Sequence, residues 1–169
     1  MTHLREVDGF VFIADMVDEP GDSFIFGPKN RGRVLLCENF TTNGLRAFAT
    51  REEVEVAGSQ CREIGRLTNF RTARIRMSIG ETPDEWILLL RTGDSWVVIS
   101  DIDFRQELRG KYREGCVPKA IPGGDLQMNG ICPLDDPDSV LHIRSECQRQ
   151  FGVHSRIATF SLTDVEPQP

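Results

Sequence analysis

Apolar and polar positions alternate with a mostly two-residue period between Glu52 and Ile79, and runs of β-type residues flank that stretch on both sides, a pattern that predicts β-strands. Gly9 to Val17 reads as one strand and Ser23 to Phe26 as a second. Between them Pro20-Gly21 suits the centre of a type II turn, so the two form a hairpin. Gly27 to Gly32 makes a further turn before a strand at Arg33 to Glu38, and Thr41 to Gly44 marks a loop before Leu45 to Thr50. Val54 and Val56 alternate with Glu53 and Glu55, and Ala73, Ile75, Met77 and Ile79 alternate with Thr72, Arg74, Arg76 and Ser78. Both runs predict half-buried strands with a polar outer face.

The clearest signal lies at residues 86–104. Trp86 to Thr92 and Ser95 to Phe104 are β-rich runs separated by Gly93-Asp94, which predicts a hairpin because glycine accepts the positive φ of a tight turn. Its apolar residues fall on both faces, so Trp86 and Trp96 are expected to be buried. With this hairpin, residues 50–104 read as an antiparallel meander. After Phe104 the period changes. Phe104, Leu108 and Tyr112 suggest a short helix stopped near Gly115, and Val117 to Gly130 reads as loop. Asp136 as N-cap, Pro137 at the first helical position, Val140, Ile143, Cys147 and Phe151 on one face, and Gly152 as the stop mark a second helix. Val153 to Leu162 reads as the last strand.

These elements predict an α+β fold: a strongly bent antiparallel sheet, or a partly closed barrel of about eight strands, with two C-terminal helices. The 169 residues suit one domain, β-rich over 9–104, with a helix-loop-helix-strand extension over 105–162 and a frayed tail at 163–169.

Charge and cysteine usage narrow the function. A net charge of −6 argues against general attraction to nucleic acid or to anionic membranes. No apolar run approaches the roughly 20 residues that cross a bilayer, and the acidic start of the chain lacks the features of a signal peptide. Five scattered cysteines (37, 61, 116, 132 and 147) do not resemble a secreted disulfide framework. The expectation is a soluble, cytoplasmic protein, in which the glycosylation sequon at Asn39-Phe40-Thr41 has no role.

Gly27 to Val34 has the glycine spacing of a phosphate-binding loop, but Arg33 and Val34 stand where lysine and serine or threonine are needed, and a β-type run follows. Cys116, Cys132, His142, Cys147 and His154 gather within 39 residues but lack the close ligand pairs of structural zinc. No cofactor and no metal is expected. Asp101 and Asp103 project to one side of a predicted strand end, as a cation site or acid-base pair would require, while Asp135, Asp136 and Asp138 fit a helix start. Gly58-Ser59-Gln60 lacks the second glycine of a nucleophile elbow. Arg62, Arg66, Arg71, Arg74, Arg76 and Arg91 make a basic stretch with only Phe70 nearby for base stacking, which points away from RNA. Arg74 and Arg76 share the polar face of their strand.

The run from Ala73 to Phe104, a strand and then a hairpin ending in Gly-Asp-Ser-Trp-Val-Val-Ile-Ser-Asp, resembles the closing strands of NTF2-like (SnoaL-like) cone-shaped domains. That resemblance implies a cone-shaped cavity. The family places long helices before its sheet, where residues 9–50 here read as strands, so no functional residue is carried over. The leading expectation is a non-enzymatic protein that binds another protein through Arg74 and Arg76. The alternative is a small pocket enzyme or apolar-ligand carrier using Asp101 and Asp103 with His142 or His154.

Overall fold

The computed structural model describes residues 4–18, 23–29, 37–40, 43–100, 134–151 and 155–169. Among them, seven strands and three helices follow the chain order β1 (Arg5–Met16), β2 (Ser23–Pro28), β3 (Cys37–Asn39), α1 (Arg51–Arg62), β4 (Leu67–Gly80), α2 (Pro83–Thr92), β5 (Trp96–Ser100), α3 (Pro137–Phe151), β6 (Ser155–Thr159) and β7 (Ser161–Pro167). The strands form an antiparallel sheet of order β3-β2-β1-β4-β6-β5, with β7 also beside β4. Among the described residues this order ends on β3 and β5, so of the two expected forms the sheet takes the open antiparallel one and does not close into a barrel. Two compact units divide the described chain: residues 7–76 with 161–169, and residues 4–6, 77–100, 134–151 and 155–160. Strand β4 runs through both.

In the first unit, β1 and β2 form the expected hairpin, with Phe12 opposite Phe26 and Ile13 opposite Ile25. Val11, Phe12, Ile13 and Ala14 are all buried, and β1 is paired along both edges, with β2 and β4. Residues 51–62 correct the expected strand. Val54, Ala57 and Cys61 recur at i, i+3 and i+7, the spacing of one helix face, and all three are buried, whereas Val56 points outward. Thr50 caps α1 by accepting a hydrogen bond from the Glu53 N–H at 3.2 Å, and Glu53 returns the contact by accepting from the Ala49 N–H. The buried face of α1 lies on a cluster containing Phe12, Phe48 and Phe70, and Phe12 stacks on Phe26 at 4.8 Å. Each such buried apolar side chain contributes roughly 1.5–3 kcal/mol.

The second unit overturns the expected hairpin at residues 86–104. Thr82 and Glu85 form a capping box and Pro83 opens the helix, so residues 83–92 wind into α2. Trp86 and Leu89 lie on its buried side, while Ile87 and Leu88 face outward. Gly93 serves as the helix C-cap with a φ of −98°, not as a turn residue with positive φ. Both tryptophans are buried as expected, and each indole donates to a backbone carbonyl: Trp86 to Gly80 at 2.7 Å, Trp96 to Leu89 at 2.9 Å. The strand-hairpin pattern behind the NTF2-like resemblance is therefore strand, helix, strand. Helix α3 follows the expected start, with the Asp136 carboxylate accepting from the Ser139 hydroxyl at 2.7 Å. Val140 and Ile143 are buried on its inner face. The last strand is two strands, β6 and β7, and the tail read as frayed is paired through Pro167. The short helix expected after Phe104 and the loop at 117–130 lie outside the described residues. Among the described residues there are three helices, two of which, α1 and α2, arise inside the stretch read as a meander.

Candidate functional site

The exposed polar face of β4 begins at a register shift between Thr72 and Arg74. The extra residue lies on β7, where Asp164 takes a φ of 53°, so β4 itself keeps its period of two. Beyond it Arg74 and Arg76 alternate with buried Ala73, Ile75 and Met77 and so point to the same side. Their cross-strand neighbours on β7 are Thr163 and Ser161, both exposed.

Asp8 on β1 completes the cluster. Asp8, Phe10, Phe12 and Ala14 share a face by the period of two, so the polar cluster continues the sheet face that α1 covers further along. Arg74 grips Asp8 with a fork: Nε donates to Oδ1 and the guanidinium NH2 group to Oδ2, each at 3.2 Å. Arg76 Nε stands 3.7 Å from Oδ1. The Arg74 hydrogen bonds, with the charges of both arginines, hold the Asp8 carboxyl below the ordinary carboxylate range. Two guanidinium groups thus share one carboxylate, and the Arg76 side chain keeps 59% of its surface in solvent.

The other arginines of the basic stretch go elsewhere. Arg71 belongs to a separate polar cluster in which Asp15 accepts from the Ser23 hydroxyl at 2.6 Å, from the Asn69 amide at 2.9 Å and from Arg71. Burial pushes the Asp15 carboxyl up, but the hydrogen bonds from Ser23 and Asn69 and the Arg71 charge outweigh it, and the net shift is downward. Arg62 reaches residues 168 and 169. Arg66 and Arg91 are exposed. Of the six arginines read together in sequence, the fold gathers only Arg74 and Arg76, and it adds Asp8, which lies 66 residues from Arg74 and carries no sequence signal of the pairing.

Asp101, Asp103, Cys116, Cys132 and His154 lie outside the described residues. His142 is exposed on α3, and Cys147 belongs to the same helix. Gly27 and Pro28, which open the loop-like glycine motif, are part of β2, and the Pro28 carbonyl accepts from the Asn43 amide at 2.8 Å. Gly58, Ser59 and Gln60 sit inside α1. Among the described residues no three His, Cys, Asp or Glu side chains are placed to hold a metal ion, and no helix is long and apolar enough to cross a membrane. A disulfide joins Cys37 on β3 to Cys61 on α1. Their separation of 24 residues gives no motif by which sequence reading could pair them.

Comparison with protein-family models, with curated proteins and with solved structures found no match.

Proposed function

We propose that this protein is a non-catalytic binding module that takes up a carboxylate-bearing segment of another protein through the Arg74 and Arg76 face of β4. The observation that carries this reading is the unequal sharing of Asp8. Arg74 spends its fork on both Asp8 oxygens, whereas Arg76 approaches one oxygen only at 3.7 Å and remains more than half exposed. A second carboxylate can therefore settle against Arg76 without displacing the first. Guanidinium forks suit such a partner because they present parallel donors to both carboxylate oxygens. The arginines also stand on a strand with partners on both sides, which fixes their spacing.

Charge reversal tests the reading. Arg76→Glu is a change at an exposed site and should alter stability by less than about 0.5 kcal/mol. The wild-type chain, immobilised and exposed to extract of the native host, should retain a partner identifiable by mass spectrometry, and retention should weaken as salt rises. The Arg76→Glu variant should lose that partner while its melt stays in place. Retention of the same partner by the folded variant would refute the assignment of this face.

A further inference from the structure

Residues 161–169 form a segment that is extended on either side of a bend at Asp164, where φ is 53°, and that carries Asp164 and Glu166 and no basic residue. It lies along the start of β4, with Ser161 opposite Arg76, Thr163 opposite Arg74, Glu166 opposite Thr72 and Pro167 opposite Arg71, and the Gln168 N–H donates to the Phe70 carbonyl at 2.9 Å.

Helix α1 presents a matching stripe. Arg51, Gly58 and Arg62 stand at i, i+7 and i+11 and so share one side of the helix, over about 16 Å from end to end. Arg51 pairs with the Glu166 carboxylate at 3.4 Å and donates to the Asp164 carbonyl at 3.4 Å. Arg62 donates to the Pro169 carbonyl at 2.6 Å and to the Gln168 carbonyl at 3.4 Å. Each guanidinium also rests on a phenylalanine ring, Arg51 on Phe10 at 5.2 Å and Arg62 on Phe70 at 5.0 Å, which fixes its aim. Between them the Gln168 side chain fits where Gly58 has no Cβ, and a Cβ there would collide with its amide. The same amide donates to the buried Thr72 hydroxyl at 3.1 Å. The groove thus reads an extended backbone by its carbonyls, one glutamate by charge and one glutamine, two residues on, by shape.

What holds the segment down is almost entirely polar. Apart from half-buried Leu162, the side chains of β7 are exposed, including Val165. A strand with so little buried apolar surface opens locally at small cost.

We infer that the groove between β4 and α1 is a strand-docking site, that residues 161–169 occupy it in cis, and that its partner in trans is an extended acidic peptide with the Glu-x-Gln pattern of residues 166–168. A peptide of this kind adds a strand to β4 when β7 lifts away, as in β-strand addition at other sheet edges. Arg74 and Arg76 meet the segment only as backbone neighbours across β4 and β7, and no side-chain anchor of the groove involves them, so the inference is tested apart from the charge reversal.

The probe is a fluorescein-labelled peptide of sequence Ser-Leu-Thr-Asp-Val-Glu-Pro-Gln-Pro, titrated against the full chain. In the Glu166→Ala/Gln168→Ala variant the cis strand is weakened while the peptide keeps both anchors. That variant should bind the peptide at least about tenfold more tightly than wild type, where the tethered segment competes at a high effective concentration. Adding Gly58→Leu should abolish binding. Hydrogen exchange on the wild-type chain provides a second measure, in which the amides of residues 161–168 should exchange at least about tenfold faster than those of residues 73–79. Failure of the folded variant to bind, binding that Gly58→Leu leaves intact, or a variant that forms dimers by exchanging the segment without taking the peptide would each overturn the inference. Should the variant not fold, equal exchange protection of β7 and β4 in the wild type would overturn it.

Discussion

The Arg144 guanidinium lies over the Trp86 ring, 3.6 Å from its centre, and so joins α3 to α2. The indole beneath it is buried, with its N–H bound to the Gly80 carbonyl. Removing the ring strips out a large apolar group and leaves that carbonyl without its donor. Trp86→Ala should therefore cost about 3–5 kcal/mol, and Arg144→Ala about 1–2 kcal/mol through lost stacking and stem packing. Urea melts of both variants should preserve that order. With both tryptophans buried, the folded protein should emit at short wavelength and shift to the red on unfolding.

Thr82 decides that residues 83–92 begin as a helix. Its hydroxyl accepts from the Glu85 N–H, and the Glu85 carboxylate accepts from the N–H groups of Glu81 and Thr82. Thr82→Ala should lower stability by about 1 kcal/mol, the usual cost of a lost cap, whereas Thr82→Ser should be close to neutral. Comparison of their denaturation midpoints checks this.

The Asp15 cluster gives acid sensitivity a definite sign. The folded carboxyl sits below its ordinary value, so the unfolded chain takes up this proton first as pH falls. The stabilisation is complete above the ordinary aspartate range and is lost as pH drops below about 4 toward the depressed folded value. Asp15→Asn should flatten the stability profile in that window and leave its shape near neutrality unchanged, as chemical denaturation across pH would record.

The disulfide between Cys37 and Cys61 closes a loop of 24 residues in sequence separation, for which chain entropy predicts about 3.5 kcal/mol of stabilisation. Cys37→Ser should lower the melting temperature under oxidising conditions. In the presence of a strong reductant, the variant and wild type should converge. Peptide mapping without reduction should recover Cys37 and Cys61 in one cross-linked species.

What the sequence made legible was local. The alternation in residues 73–79 located the buried side of β4 and placed Arg74 and Arg76 together, and Asp136-Pro137 located the start of α3. Two helices escaped because short-range evidence conflicted. Val54 and Val56 mimic a strand over only three residues, while the true i, i+3, i+7 set includes Ala57 and Cys61, which carry little hydrophobic signal. At α2, Thr82-Pro83-Asp84-Glu85 already spelled a capping box, but Gly93-Asp94 resembled a hairpin turn more strongly. The relationships that define the candidate sites were not local at all. Asp8 meets Arg74 across 66 residues, Gln168 meets Thr72 across 96, and nothing in the period of either segment encodes its partner.

Because β7 returns to the unit begun by β1, the order of synthesis matters. Residues 77–160 must leave the ribosome between the two parts of that unit. At about 5–20 residues per second, the early part waits roughly 4–17 s before Glu166 and Gln168 arrive. During that interval Arg51, Arg62 and the β4 edge stand open on the nascent chain, long enough for a chaperone or a neighbouring polypeptide to reach them before β7 does.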